Sequence, residues 1–281
     1  MIDLHSHTNE SDGTCTPREL VELAVANRLE ALAITDHDTF AGYDQALEPA
    51  RAAGLELLCG IELNSRITGK RKRTAHILGY FLHQPPTDDF RKWLDAMLAS
   101  RRDRNVRLIE KLRSMGVDIV LDEVQRLGRT LTGRPHFAQV LVQKGYATDS
   151  DDAFRKYLDE DAPSYVERHA PEAAVSIRQI NDAGGLSVLA HPVRLGFRDP
   201  ATEEAVIGEL AAAGLRGLEV YHSDHQPTDV ERYRKLAAKF QLAITGGSDF
   251  HGDAKPQISL GAGRGGNVNV PRSVLDNLRN F

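Results

Sequence analysis

Short apolar runs separated by amphipathic stretches organise this chain. The opening MIDLHSH, then ALAITD (31–36), ELLCGIEL (56–63), TAHILGYF (74–81), GLSVLAH (185–191), RGLEVYH (216–222) and LAITGGSD (242–249) each have the length of a buried strand. Between several of them lie stretches such as TPRELVELAVANRL and TDVERYRKLAAKF. In these a Thr or Pro start precedes apolar residues three and four apart, which predicts helices. Repeated strand–helix units imply a mostly parallel sheet, closed or covered by helices. About seven strands, with no G-x-G-x-x-G after the first, favour a barrel over a dinucleotide-binding fold.

The rhythm breaks between 86 and 168. PPTDDFRKWLDAMLASRRDRNVRLIEKLRSMGV reads as one long helix ending at Gly116, and shorter helical segments follow, TGRPHFAQVLVQKGY among them. The expected organisation is a barrel built from 1–85 and 169–281, with a helical subdomain inserted at 86–168. On the long helix Leu94, Leu98, Leu108, Leu112 and Met115 form an apolar stripe, and Arg101, Arg104 and Asn105 fall on its continuation. Those guanidinium groups need anions, either acids of the barrel or a substrate phosphate. Arg134 and His136, on a Gly-Pro turn ahead of a helix, can present cationic donors and helix amides to a phosphate. Trp93 is expected to anchor the insertion helix to the barrel.

Composition narrows the function. With 281 residues, 41% hydrophobic, 27% charged and a formal net charge of −5, the chain has an ordinary core and no general attraction for nucleic acid. Any polyanion site is therefore local, and no duplex DNA partner is expected. The absence of an apolar run near the roughly 20 residues that span a bilayer, and of a signal-peptide pattern, points away from membranes and to the cytoplasm. No obligatory protein partner is indicated. Only Cys15 and Cys59 occur, without a C-x-x-C, so metal chemistry would use nitrogen and oxygen. Cys15 reads as a packing residue.

Chemistry concentrates at strand ends. Residues two apart on a strand share a face, so His5 and His7 point one way while Ile2 and Leu4 point the other. Asp249 and His251 repeat that spacing after the last apolar run. Asp36, His37, Glu62 and His191 also follow or end apolar runs, and His76 lies inside one. Gly246 and Gly247 suit close backbone approach at a barrel mouth. In barrels the C-terminal strand ends build the active site, and burying so many imidazoles and carboxylates unpaired would be costly. A metal centre is the expected result. Asp3 shares a face with His5, as an orienting partner or as a plain strand-start charge.

The motifs DLHSHTNESDGT, ITDHDT, GIE, the His of AHILGY, AHP and GSDFHG, in this order, resemble those of the polymerase and histidinol phosphatase (PHP) domain family. The resemblance spans nearly the whole chain. The insertion with GRPHFA resembles that of the family's nucleoside-bisphosphate phosphatase and RNase-like branch. It implies an α/β fold, a distorted (βα)7 barrel with two or three divalent ions, and activity on phosphoesters. By resemblance His5, His7, Glu62 and Asp249 hold one ion, and Glu62 bridges to a second on His76 and His191. Asp12, His37 and His251 hold a third. Many relatives have His where this chain has Asp12, which makes that site harder and favours Mn²⁺ or Mg²⁺ there; for the centre as a whole Mn²⁺ is expected first, with Mg²⁺, Zn²⁺ and Fe²⁺ as alternatives.

The expected reaction is hydrolysis of a phosphate monoester by water activated on the ions. The substrate is a small nucleotide, foremost a nucleoside 3′,5′-bisphosphate losing its 3′-phosphate. Alternatives are 5′→3′ exonuclease action on short RNA, a histidinol-phosphatase-like activity, and a metal-binding module without turnover. His191, His222 and Asp36 are the expected catalytic residues. For protonating the leaving group, His222, Asp224, His225 and Asp36 remain open, each equally readable as part of a polar rim. Arg101, Arg104, Arg134 and His136 are the expected phosphate-binding residues.

Overall fold

A computed structural model describes residues 1–67, 73–128, 130–167 and 170–281. Among these, the apolar runs form one seven-stranded sheet: β1 (Ile2–Asp3), β2 (Ala31–Ile34), β3 (Glu56–Ile67), β4 (Arg73–Phe81), β5 (Leu186–Leu189), β6 (Gly217–His222) and β7 (Ala243–Gly247). Spatial order equals chain order. The ends meet where Leu4 N–H donates to the Gly246 carbonyl at 3.3 Å and Asp249 N–H to that of His5 at 2.8 Å, nearly closing a barrel. The fold is α/β, a distorted seven-stranded barrel with a helical insertion.

The distortion lies at β4. β1–β2–β3 and β5–β6–β7 are parallel, whereas β4 is antiparallel to both its neighbours. The link from β3 to β4 is too short for a crossover helix, so the two strands pair as a hairpin. The sheet is mostly parallel, as expected, with β4 the exception. β3 also runs on to Ile67, past the end of the apolar run, so Glu62 lies mid-strand. In that register Asn64 faces His76 and Glu62 faces Leu78, which sets Glu62, Asn64 and His76 on one face.

Helix α1 (Pro17–Ala26) starts at a capping box in which Thr16 and Glu19 satisfy each other's backbone, and α2 (Ala41–Ala53) ends on Gly54 at φ 68°. The insertion opens with α3 (Asp88–Ser114), capped by Thr87, and continues through α4 (Leu121–Leu127), α5 (Arg134–Gln143), α6 (Ser150–Ala153) and a π turn at Phe154–Leu158. The start of α3 packs on the barrel, where Phe90 stacks on Trp93 with ring centroids 5.6 Å apart. Its far half joins Phe137, Leu141 and Leu158 in a separate apolar cluster. Met115 does not extend the stripe: it caps the helix and is 42% exposed, and Ile109 is buried instead. The expected junction at 168/169 lies outside the described residues.

The barrel wall is completed by α7 (Ala173–Asp182), α8 (Pro200–Ala212), α9 (Pro227–Lys239) and α10 (Arg272–Arg279), with a small hairpin of β8 (Ile258–Ser259) and β9 (Gly263–Arg264). Among the described residues no helix is long and apolar enough to cross a membrane.

Candidate metal centre

At the barrel mouth the strand-end residues converge. Glu62 lies at the middle of them: its Oε1 is 2.9 Å from His76 Nδ1, 3.0 Å from His191 Nε2 and 3.4 Å from His5 Nε2. Its Oε2 is 3.1 Å from His37 Nδ1 and 3.3 Å from His7 Nε2. Asp249 Oδ1 faces His5 and His7 Nε2 at 3.4 and 3.3 Å. Asp12 reaches His37 Nε2 at 3.6 Å and His251 Nε2 at 3.4 Å.

Backbone geometry makes this convergence possible. A Cβ at Gly247 would overlap the backbone and Cβ of His5, so only glycine lets the first and last strands approach so closely. His191 and Asp249 have φ of 27° and 56°, conformations rare for side-chain-bearing residues that turn them inward past the strand ends.

Four groups of potential donor atoms are close enough to hold an ion: His5, Glu62 and His191; His37, Glu62 and His76; His7, Asp12, His37 and His251; and His5, His222 and Asp249. Glu62 is shared by two groups. Asp12, His37 and His251 come together with His7, and His76 and His191 both contact Glu62 Oε1, their rings 5.1 Å apart, while His37 stands equally near His76. The donor set suits divalent cations. His5 Nε2 and His7 Nε2 are buried without a hydrogen-bond partner and point at carboxylates. Burial alone would raise the pKa values of Glu62, Asp12 and Asp249, yet the imidazoles packed around them, with Lys255 and Arg194 beside Asp249, hold all three well below the usual range. Nitrogen lone pairs around ionised buried carboxylates are what a cation needs.

The partners behind these side chains were not all legible. Glu219, buried in β6, accepts from His5 Nδ1 at 2.9 Å and from the His191 backbone N–H at 2.7 Å. This fixes the proton of His5 on Nδ1 and leaves Nε2 for an ion. Only its lone acid within GLEVYH could have signalled it. Asp3 does not orient the His5 ring: its carboxylate binds the backbone N–H groups of His5, Ser248 and Gly261, tying β1 to the last loop.

Of the expected proton donors, Asp36 is engaged elsewhere and His222 faces the centre. Asp36 is fully buried, its Oδ1 accepting from Thr8 N–H at 2.7 Å and Ser11 Oγ at 2.6 Å, and its Oδ2 from Thr8 Oγ1 at 2.6 Å. It fastens the loop that carries His7 and Asp12 and presents no atom to a substrate. His222 was expected outside the cluster and lies inside it, its Nε2 3.5 Å from Asp249 Oδ2. Its Nδ1 accepts the Asp224 backbone N–H at 3.0 Å. A backbone N–H only donates, so the neutral ring carries its proton on Nε2 and aims an N–H, not a lone pair, at the centre. Asp224 is bound by Arg194 and Arg264, and His225 Nδ1 by the Val220 carbonyl.

Next to the centre opens a cavity of about 220 Å³. Asp12, His37 and His76 border it from the barrel, and Arg101, Arg104, Arg134 and His136 from the insertion. Arg101 also pairs with Asp38, beside His37, so it serves a barrel acid and the cavity together. His136 Nδ1 accepts the Gly133 N–H at 3.0 Å, which leaves its proton on Nε2.

The profile of the PHP domain matches residues 3–159. The chain belongs to the PHP domain family. It is 31% identical over 252 residues to the 3′,5′-nucleoside bisphosphate phosphatase of Chromobacterium violaceum, covering 89% of this chain and 87% of that protein. It is 35% identical over 266 residues to the 5′-3′ exoribonuclease Rnm of Escherichia coli, covering 93% and 88%. A solved structure assigned as a metal-dependent phosphoesterase, from Bifidobacterium adolescentis, superposes with a TM-score of 0.83 at 33% identity, covering 98% of this chain and 94% of that one. This PHP protein is a metal-dependent phosphoesterase, a hydrolase.

Proposed function

We propose that this PHP phosphoesterase removes the 3′-phosphate of a nucleoside 3′,5′-bisphosphate, leaving a 5′-mononucleotide, with Mn²⁺ as its working ion. The observation that carries this reading is the cavity between the ligand cluster and the basic insertion. Its two walls suit two phosphates: one at His37, His76 and Asp12, the other under Arg101, Arg104, Arg134 and His136.

His5, His7, Asp12, His37, Glu62, His76, His191, Asp249 and His251 would hold the ions, with Glu62 shared between two of them. Divalent ions bound there supply a water that loses its proton near neutral pH and neutralise charge on the phosphoryl oxygens. Glu219 and the His251 Nδ1 contact to the Asp249 carbonyl, at 2.8 Å, keep Nε2 lone pairs turned to the centre. Arg134 and His136 grip the second phosphate, which orients the scissile one. His222 is the proton donor to the departing 3′-oxygen. Of the candidate donors it alone presents an N–H to the cluster.

The test is phosphate release by the Mn²⁺-loaded protein from nucleotides, short RNA and histidinol phosphate. Arg134→Ala is expected to lower kcat/KM at least about tenfold more on a 3′,5′-bisphosphate than on a 3′-monophosphate. Equal losses on both overturn the two-phosphate reading. Failure of the metal-filled protein to release phosphate from any nucleotide overturns the nucleotide substrate itself.

A further inference from the structure

A second cavity, of about 330 Å³, adjoins the first within the insertion, and Arg101 and Leu131 border both. One face of α3 supplies Arg101, Arg102 and Asn105 to it, three and four residues apart. Gln125 of α4 and Thr130 and Thr132 of the loop before α5 stand opposite. Among the described residues its border carries no metal ligand and no carboxylate. Its polar groups are two guanidiniums, two amides and two hydroxyls.

Two of these groups are unmet. Arg101 gives Nη2 to Asp38, and its Nη1 lies against Gly133, which borders the first cavity and not the second. Its Nε is buried without a hydrogen-bond partner. Asn105 gives Nδ2 to the Thr132 carbonyl at 2.9 Å, and its Oδ1 is likewise buried and unpartnered. Both residues are more than nine-tenths buried. One turn of α3 therefore sets an orphan donor and an orphan acceptor on the same cavity, next to the further charge of Arg102.

A ligand that answers all three is an anion, offers oxygens to N–H groups and has an O–H of its own for Asn105. Orthophosphate has each of these near neutral pH, because it keeps a P–OH while its other oxygens accept. Sulfate brings charge without a proton, and water brings a proton without charge. Orthophosphate is also the product that a phosphatase releases into the adjoining cavity.

We infer that the second cavity binds orthophosphate and that the bound ion weakens the grip on substrate. The second half of this rests on the reading of the first cavity as the substrate site. Arg101 stands in both cavities, so an anion at its Nε screens the charge it offers a substrate phosphate. The loop that the ion touches also reaches the metal centre, where the Thr130 hydroxyl donates to Glu10, between His7 and Asp12.

The experiment is equilibrium dialysis of the Mn²⁺-loaded protein against labelled orthophosphate, which counts bound ions per chain and their affinities. Arg102 and Asn105 border only the second of the two cavities, so what their variants lose is lost from it. Arg102→Glu, at an exposed position, is expected to weaken one class of bound orthophosphate at least about tenfold. Asn105→Asp, which sets a negative charge against the ion in a side chain of the same shape, is expected to weaken that class as well. Sulfate is expected to compete for it about tenfold less well than orthophosphate. In steady-state assays the rise in KM for a 3′,5′-bisphosphate caused by added orthophosphate is expected to be about fivefold smaller in Arg102→Glu.

Wild-type orthophosphate binding in Arg102→Glu overturns the site, and sulfate competing as well as orthophosphate overturns the assignment of the ion. Weakened binding with an unchanged KM response overturns the coupling. Dialysis reads binding and not turnover, so a protein that hydrolyses no nucleotide removes the substrate reading and leaves the test of the site intact.

Discussion

Glu219 Oε1 accepts the hydrogen bond of His5 Nδ1 at 2.9 Å, with both side chains fully buried. The contact joins β6 to the loop after β1, and the same carboxylate holds the His191 backbone. Removing its charge frees the His5 ring to rotate and weakens its basicity. Glu219→Gln is expected to lower Mn²⁺ affinity by about 10- to 100-fold, measured by metal titration. Unchanged affinity would show that Glu219 serves only to pack the barrel.

His222 offers an N–H to the centre because Asp224 N–H occupies its other nitrogen. If it protonates the leaving oxygen, its loss matters most for a poor leaving group. His222→Asn is expected to lower kcat on nucleotide substrates by about 10²- to 10⁴-fold, and much less on an aryl phosphate, whose leaving group needs no proton. Equal losses on both would assign His222 to holding Asp249 rather than to proton transfer.

Arg101 and Asp38 are both buried, and their ion pair fastens the insertion to the barrel beside His37. Asp38→Asn leaves a buried guanidinium poorly compensated and is expected to cost about 3–5 kcal/mol, read from urea unfolding. The double variant Asp38→Asn, Arg101→Met is expected to regain much of that stability while losing preference for the bisphosphate. Loss of stability without loss of preference would make Arg101 a structural residue only.

The buried ring of His225 packs on Tyr233 with centroids 4.9 Å apart. Burial, helped by His222 beside it, pushes its pKa down to about 4. In the unfolded chain it protonates near 6.5. Between those values the unfolded state binds the proton more readily, so stability rises with pH across this window and is lost as pH falls through it. Metal-free protein is expected to lose up to about 3 kcal/mol from this group on going from about pH 7 to about pH 4. His225→Gln should flatten that part of the profile. An identical pH profile in the variant would place the acid sensitivity elsewhere.

Much of the site was legible because its residues stand where apolar runs stop. His5 and His7 alternate with Leu4 and Ser6, and Asp249 and His251 repeat the spacing, so shared faces follow from strand geometry alone. Glu219 was hidden because it sits inside an apolar run, paired with a histidine 214 residues away. Asp36 looked available for proton transfer because its neighbours in sequence do not show that Thr8 and Ser11 take both its oxygens. The antiparallel turn at β4 was missed because apolar periodicity carries no strand direction.

By itself the sequence determined the barrel's strands, the inserted helices and a set of imidazoles and carboxylates that no core could bury without a cation. Tertiary structure decided which nitrogen of each imidazole faces inward, which carboxylates are committed to the backbone, and which arginines border a cavity. The reason is physical. A strand's period fixes the face on which a side chain stands, but its proton and its charge answer to whatever partner the closed barrel brings within about 3 Å.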